Sequence, residues 1–310
     1  MTAAMIELDD GAHLRTWTTG SVVPQRYPVV MVHGGPGVPD YLAPVAGIID
    51  DLCLVHRYDQ RGTGGSSWEG EHTIVRHVHD LSLSLDAWGH DRVVLVGHSF
   101  GTNMASYFLL AHPERVAGLI QIAGPFLDPW READRAAQRA RRTGEQQARL
   151  EELDAIESRT DTEEIEYLTV SWLTDHADRT RARDWALASA CTLRPINYAM
   201  NAQLNAAKKA DPLESHVDEL REHLPPGAVI IGGAGDSRPA GALRRLGTRL
   251  NCEVIIVPNA GHNPWLEAPD QFGATLRAAV ERQTRRAGNR PRPRPPLERR
   301  GSRSETTPSP

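Results

Sequence analysis

Short apolar runs recur along the first 125 residues of the chain and again near its end. Residues Pro28–Val32, Leu52–Tyr58, Arg92–Val96 and Val116–Ile122 hold Val, Ile and Leu with few alternating polar positions, and Val229–Gly232 and Glu253–Val257 repeat the pattern. An apolar run without alternation suits a strand covered on both faces, as in a parallel sheet. Between the runs lie two predicted helices, Thr73–Trp88 and Gly101–Ala111, the second stopping before Pro113. Strand and helix alternating at this spacing read as βαβ units. At the start, Ile6–Leu8 and His13–Trp17 flank Asp9-Asp10-Gly11, a hairpin signal. Pro264–Glu281, with proline in its first turn, predicts one closing helix.

The middle of the chain reads differently. From Leu127 to Glu222 the strand signal stops and the residues become helix-forming, rich in Arg, Glu and Ala, with Trp130, Trp172 and Trp185 among them. The expected organisation is an α/β core from residues 1–126 and 223–284, with a helical cap, 127–222, inserted between its halves. Residues 285–310 form an Arg/Pro-rich tail, expected to be disordered because its repeated prolines and charges cannot pack. The charge divides at the same place. The chain carries −5 overall, but the tail holds eight Arg against two Glu, a net +6, which leaves −11 on residues 1–284.

Composition narrows the class. At 310 residues and 40% hydrophobic the chain can bury a large core, and no apolar run approaches the roughly 20 residues of a membrane span. The N-terminal residues lack a basic stretch followed by an apolar one, so no secretory leader is expected. Cys53, Cys191 and Cys252 are widely spaced and fit neither a disulfide framework nor a metal knuckle. A cytoplasmic protein with no membrane or nucleic-acid partner is the expectation.

Candidate chemistry begins at Gly97-His98-Ser99-Phe100-Gly101, a GxSxG between a strand and a helix. That context is a nucleophile elbow: a tight strand-to-helix turn that lifts the serine above the sheet, with small residues on either side relieving crowding. A serine hydroxyl needs a base, and the base needs an orienting acid. Asp236 and His262 each lie just past one of the late strands, so both reach the sheet edge that carries Ser99. His33-Gly34-Gly35-Pro36-Gly37 follows an early strand and can turn a backbone N–H toward a carbonyl under attack. Gly35 is the expected oxyanion donor from this loop, with Gly34 as the alternative, and the N–H of Phe100 is the second. His98 is expected to turn away from Ser99 and to pack. His77 and His79 would face opposite ways on a helix, so with His72 they form no metal site. No phosphate loop, dinucleotide fingerprint or zinc spacing occurs, and no cofactor is expected.

Together these residues resemble the α/β-hydrolase superfamily, and more narrowly the prolyl aminopeptidase (proline iminopeptidase) family. The narrower resemblance rests on the His33–Gly37 loop and on Tyr58-Asp59-Gln60-Arg61-Gly62-Thr63-Gly64-Gly65-Ser66, similar to the family's DQRGxGxS segment. It implies a Ser99–Asp236–His262 triad and an aminopeptidase or amidase acting on small molecules or short peptides. His33, Asp59, Gln60 and Arg61 would then shape the site floor and brace neighbouring loops. Two departures stand out: the elbow is GHSFG where typical members carry GGSWG, and residues 127–222 lack the family's aromatic and acidic cap signature. The acids that are present there, Glu151, Glu152, Asp154, Glu163, Glu164 and Glu166, would suit a cationic substrate amine or form a solvated helix face. The same triad would also serve an ester, lactone or thioester hydrolase of secondary metabolites. A non-catalytic small-molecule binder is the remaining class.

Overall fold

The computed structural model describes residues 2–127 and 129–286. Eight strands form one sheet: β1 (Thr2–Glu7), β2 (His13–Thr19), β3 (Val29–Val32), β4 (Val55–Tyr58), β5 (Val93–His98), β6 (Val116–Ile122), β7 (Val229–Gly233) and β8 (Glu253–Val257). Their order is β1-β2-β4-β3-β5-β6-β7-β8. The hairpin β1–β2 is antiparallel, β2 pairs antiparallel with β4, and all pairings from β4 through β8 are parallel.

Helices cover both faces, which explains the unbroken apolar runs. They are α1 (Ala43–Ala46), α2 (Ile74–Ala87), α3 (Phe100–Ala111), α4 (Arg131–Arg141), α5 (Gly144–Asp154), α6 (Asp161–Trp172), α7 (Ala182–Thr192), α8 (Tyr198–Ala210), α9 (Val217–His223), α10 (Ala240–Leu250), α11 (Pro264–Glu267) and α12 (Pro269–Thr284). Alternate residues of each strand serve the two layers. Val30, Val32 and Leu95 join α2, α3, α9 and α10 in one cluster, while Val29, Met31, Val94 and Val96 meet α1 and α12 in the other. A parallel strand in this position has no polar face to show.

The chain between β6 and β7 is helical, as its composition predicts. Val170, Leu173, Ala182 and Ala186 build a small core of their own, whereas Met200, Leu204, Leu213, Val217 and Leu220 pack into the first of the two main clusters. α8 and α9 therefore sit against α2 and α3.

Two expectations change. The closing helix is two helices, α11 and α12, broken at Ala268 (φ −135°, ψ 58°). Ala268 precedes Pro269, and the proline ring disfavours helical backbone in the residue before it. The ordered chain also runs past residue 284. Arg285 bridges to Arg26 in an antiparallel pair, and the Arg286 N–H donates to the Gln25 carbonyl at 2.8 Å. The rest of the expected tail lies outside the described residues.

Gly101 shows how closely the layers meet. A Cβ built there would strike the backbone carbonyl oxygens of Val32 and His33. Backbone cannot yield as a flexible side chain does, so Gly101→Ala should cost at least about 2 kcal/mol. Thermal unfolding should show a melting temperature lower by several degrees.

Candidate active site

Ser99 sits between β5 and α3 with φ 54° and ψ −122°, a left-handed conformation that a non-glycine residue rarely adopts. The bend is possible because its neighbours are bare. A Cβ on Gly97 would lie 2.7 Å from the Gly101 oxygen, and a Cβ on Gly34 would lie 2.7 Å from the Ser99 Cβ. The Ser99 side chain makes no capping bond to α3. Its hydroxyl instead lies 2.9 Å from His262 Nε2.

His262 Nδ1 lies 2.7 Å from Asp236 Oδ2. With Nδ1 protonated toward the carboxylate, Nε2 is free to accept the serine proton. Asp236 is buried, and burial works against its charge. The imidazole of His262 and the guanidinium of Arg238 outweigh that cost and hold the carboxyl well below the usual carboxylate range. Arg238 donates to Asp236 Oδ1 from its backbone N–H (3.0 Å) and from Nη1 (3.1 Å), and Nη1 also meets Asp175 Oδ1 at 3.0 Å. Sequence reading found Asp236 and His262 but neither Arg238 nor Asp175. No local pattern marks partners 63 residues apart.

The glycine loop has one orientation. His33 Nδ1–H donates to the Gly34 carbonyl at 2.9 Å, while Nε2 accepts the Gln60 N–H at 3.1 Å. The Gly34–Gly35 peptide is trans, so with its C=O held toward the His33 ring its N–H faces the opposite way. Gly35 lines the pocket beside Ser99, and neither its N–H nor that of Phe100 has a hydrogen-bond partner among the described residues. The alternative donor is spoken for: the Gly34 N–H donates to the Tyr41 hydroxyl at 2.9 Å. The N–H groups of Gly35 and Phe100 are therefore both unspent next to Ser99, as the donors of an oxyanion hole have to be.

The DQRG residues act from behind the pocket wall rather than on its floor. Gln60 grips His33 through its backbone N–H and through Nε2, which donates to the His33 carbonyl at 2.7 Å. Asp59 accepts the N–H groups of Asp40 and Gly65, both at 2.8 Å. Arg61 is fully buried and joins Asp80 of α2 (2.7 Å) to Asp10 of the hairpin turn (2.8 Å). None of His33, Asp59, Gln60 and Arg61 lines the pocket.

The pocket above Ser99 holds about 950 Å³ and is walled by Tyr41 and Trp265 below and by α5, α6 and α7 above. Several of the acids between β6 and β7 are already engaged. Arg149 takes Glu152 (3.1 Å) and Glu166 (2.8 Å), Arg159 takes Glu164 (2.6 Å), and Glu163 caps α6 through Thr160. Glu151 and Asp154 line the pocket; Glu151 accepts from Gln147 Nε2 (2.9 Å) and Asp154 from the Tyr167 hydroxyl (3.1 Å). Arg142 also lines it, bonded to the Val170 and Ser171 carbonyls.

A buried glutamate fastens this roof to the base. Glu267 Oε1 accepts the N–H groups of Ala177 (2.7 Å) and Asp178 (2.9 Å), and Oε2 accepts that of Gly261 (2.6 Å), next to His262. The His262 N–H itself donates to the Asp175 carbonyl at 2.7 Å. His98 does more than pack: its ring nitrogens meet the Tyr41 hydroxyl and the His262 carbonyl. His77 is buried beside His72 while His79 turns out to Asp9, and among the described residues no three His, Cys, Asp or Glu side chains are placed to hold a metal.

A mostly parallel sheet with a serine on the turn after β5, and an acid and a histidine converging from the ends of β7 and β8, defines a hydrolase of the α/β type. The chain belongs to the α/β-hydrolase fold family, whose model matches residues 27–269. Among curated relatives it is 26% identical over 251 residues to a putative carbamate hydrolase RutD of Shigella flexneri serotype 5b (strain 8401), covering 80% of this chain and 89% of the relative. The RutD of Caulobacter sp. (strain K31) is 26% identical over 263 residues, 83% and 91% of the two chains. Among solved structures, a thermophilic esterase from Thermogutta terrifontis superposes with TM-score 0.70 at 20% identity, over 92% of this chain and 100% of that one. A proline iminopeptidase from Mycobacterium smegmatis gives 0.65 at 18%, over 91% and 98%. No helix among the described residues is long and apolar enough to cross a membrane.

Glu267→Gln would turn an NH2 group toward backbone donors and leave at least one of them unsatisfied, a loss of about 1–3 kcal/mol. Burial opposes the charge of Glu267, but His176 and the backbone donors hold its carboxyl below the ordinary 4.5. Its contribution is therefore complete above that value and is lost as pH falls through the lower native one. The variant should melt several degrees earlier at neutral pH and lose less further stability on acidification, as read by thermal unfolding across pH 3–7.

Proposed function

We propose that the protein is a serine hydrolase that cleaves small esters or amides through an acyl-enzyme on Ser99. In this reading His262 takes the serine proton and returns it to the leaving group. Asp236 holds the imidazole in the working tautomer, and the N–H groups of Gly35 and Phe100 bind the oxyanion. The observation that carries it is the Ser99–His262–Asp236 chain, at 2.9 and 2.7 Å, beneath a pocket of about 950 Å³. Residues 127–222 would act as a lid over the core of 1–126 and 223–284. The substrate is a small molecule or short peptide. The names of the relatives, carbamate hydrolases and an esterase, support attack on a carbonyl bonded to oxygen or nitrogen.

The aminopeptidase reading is favoured by one further observation. Glu151 and Asp154 line the pocket without an ion-pair partner among the described residues, so a substrate amine could be held there. Desolvating that pair would make the enzyme reject an uncharged analogue.

Ser99→Ala should keep the melting temperature and lower kcat by roughly 10⁴–10⁶-fold. A fluorophosphonate should label the native chain at Ser99, and a variant retaining a tenth of the activity would remove the serine from the mechanism. Asp236→Asn should still bind substrate yet lose most turnover. Proline naphthylamide and its N-acetyl derivative decide the substrate class beside p-nitrophenyl esters. An aminopeptidase turns over only the free amine, whereas equal rates, or activity on neutral esters alone, leave the esterase reading.

A further inference from the structure

A buried hydrogen-bond chain connects the glycine loop to the loop of His262. The Gly34 N–H lies 2.9 Å from the Tyr41 hydroxyl oxygen, that oxygen lies 2.6 Å from His98 Nδ1, and His98 Nε2 lies 2.9 Å from the His262 carbonyl oxygen. Chemistry sets the direction of every link. A carbonyl only accepts, so His98 Nε2 carries a proton. Burial pushes the protonation of His98 well below the ordinary histidine range, the ring is neutral, and Nδ1 is an acceptor. Tyr41 must then donate to Nδ1, and its oxygen is left to accept the Gly34 N–H. The Tyr41 hydroxyl both donates and accepts, and each His98 ring nitrogen makes one bond.

We propose that Tyr41 and His98 are positioning residues that hold the oxyanion donor and the base as one unit. The proposal rests on the catalytic reading of Ser99 and His262. The peptide they fix lies directly behind the nucleophile, since a Cβ on Gly34 would lie 2.7 Å from both the Ser99 Cβ and the Tyr41 hydroxyl. With the Gly34 N–H drawn to Tyr41, the next N–H, that of Gly35, is the one left to face the pocket. At the far end, the His262 carbonyl is held by a side chain rooted in β5, the most central strand of the site. Packing keeps the strut upright: Tyr41 meets His98 edge-on (5.5 Å, 89°), and Trp265 meets it at 4.8 Å and 77°. A neutral imidazole suits position 98 because it offers a donor and an acceptor on opposite sides of one rigid ring.

The test uses the full chain with p-nitrophenyl acetate as substrate and the fluorophosphonate as a second probe of Ser99. Tyr41→Phe removes the acceptor for Gly34, and His98→Leu removes both ends of the strut. Both should lower kcat and the labelling rate by roughly 10–100-fold, with KM within about twofold, because a misaimed donor weakens the transition state more than the bound ester. His98→Gln can still donate to the His262 carbonyl and should recover part of the loss. That rescue also serves if His98→Leu fails to fold. If Tyr41→Phe and His98→Gln keep wild-type kcat, or if the losses follow KM and melting temperature instead of kcat, the positioning role is overturned while the hydrolase reading stands. If the native chain neither turns over the ester nor takes the label, both fall together.

Discussion

The backbone of Ser99 is the constraint around which the site is arranged. Its left-handed conformation lifts the hydroxyl off the sheet and sets the Phe100 N–H at the start of α3. Such a conformation costs of order 1–3 kcal/mol and persists only where the surroundings dictate it. Here they do. Gly97 and Gly101 let α3 lie against β3 and β5, and Gly34 lets the glycine loop pass within van der Waals range of the serine. The Ser99 N–H is held by the Ile122 carbonyl of the neighbouring strand. The glycines are therefore a record of close approach, and they were readable for that reason.

The strands could be recognised because burial on both faces leaves an unbroken apolar run, and Ser99, Asp236 and His262 because each stands just past such a run. What could not be read is whatever joins distant segments. Arg238 and Asp175 meet across 63 residues, Glu267 and Ala177 across 90, and His98 and His262 across 164. None of these pairs leaves a periodicity or a spacing. The break at Ala268 is of another kind, because Pro269 was in plain view and its effect on the preceding residue is local. The helical pattern on either side hid it.

Charge in the roof gives a related lesson. Eight acids between residues 151 and 166 suggest an acidic surface, yet arginines and a helix cap absorb five of them. Composition counts charges, whereas recognition depends on the charges left over. Of the residual ones, Glu151 and Asp154 sit with Arg142 along the same pocket. The wall is thus mixed in sign, and a ligand would meet a gradient along it.

Glu267 gives the molecule an unusual kind of modularity. Lids on a common scaffold are natural units for grafting, and the stretch between β6 and β7 looks like a cassette with clean ends. Part of its grip on the scaffold, however, is written in α11, after the last strand. That stretch transplanted alone would arrive without this latch, and a scaffold given a foreign one would keep a buried carboxylate with two of its three donors gone. Exchange between relatives would have to move two separated pieces of chain at once.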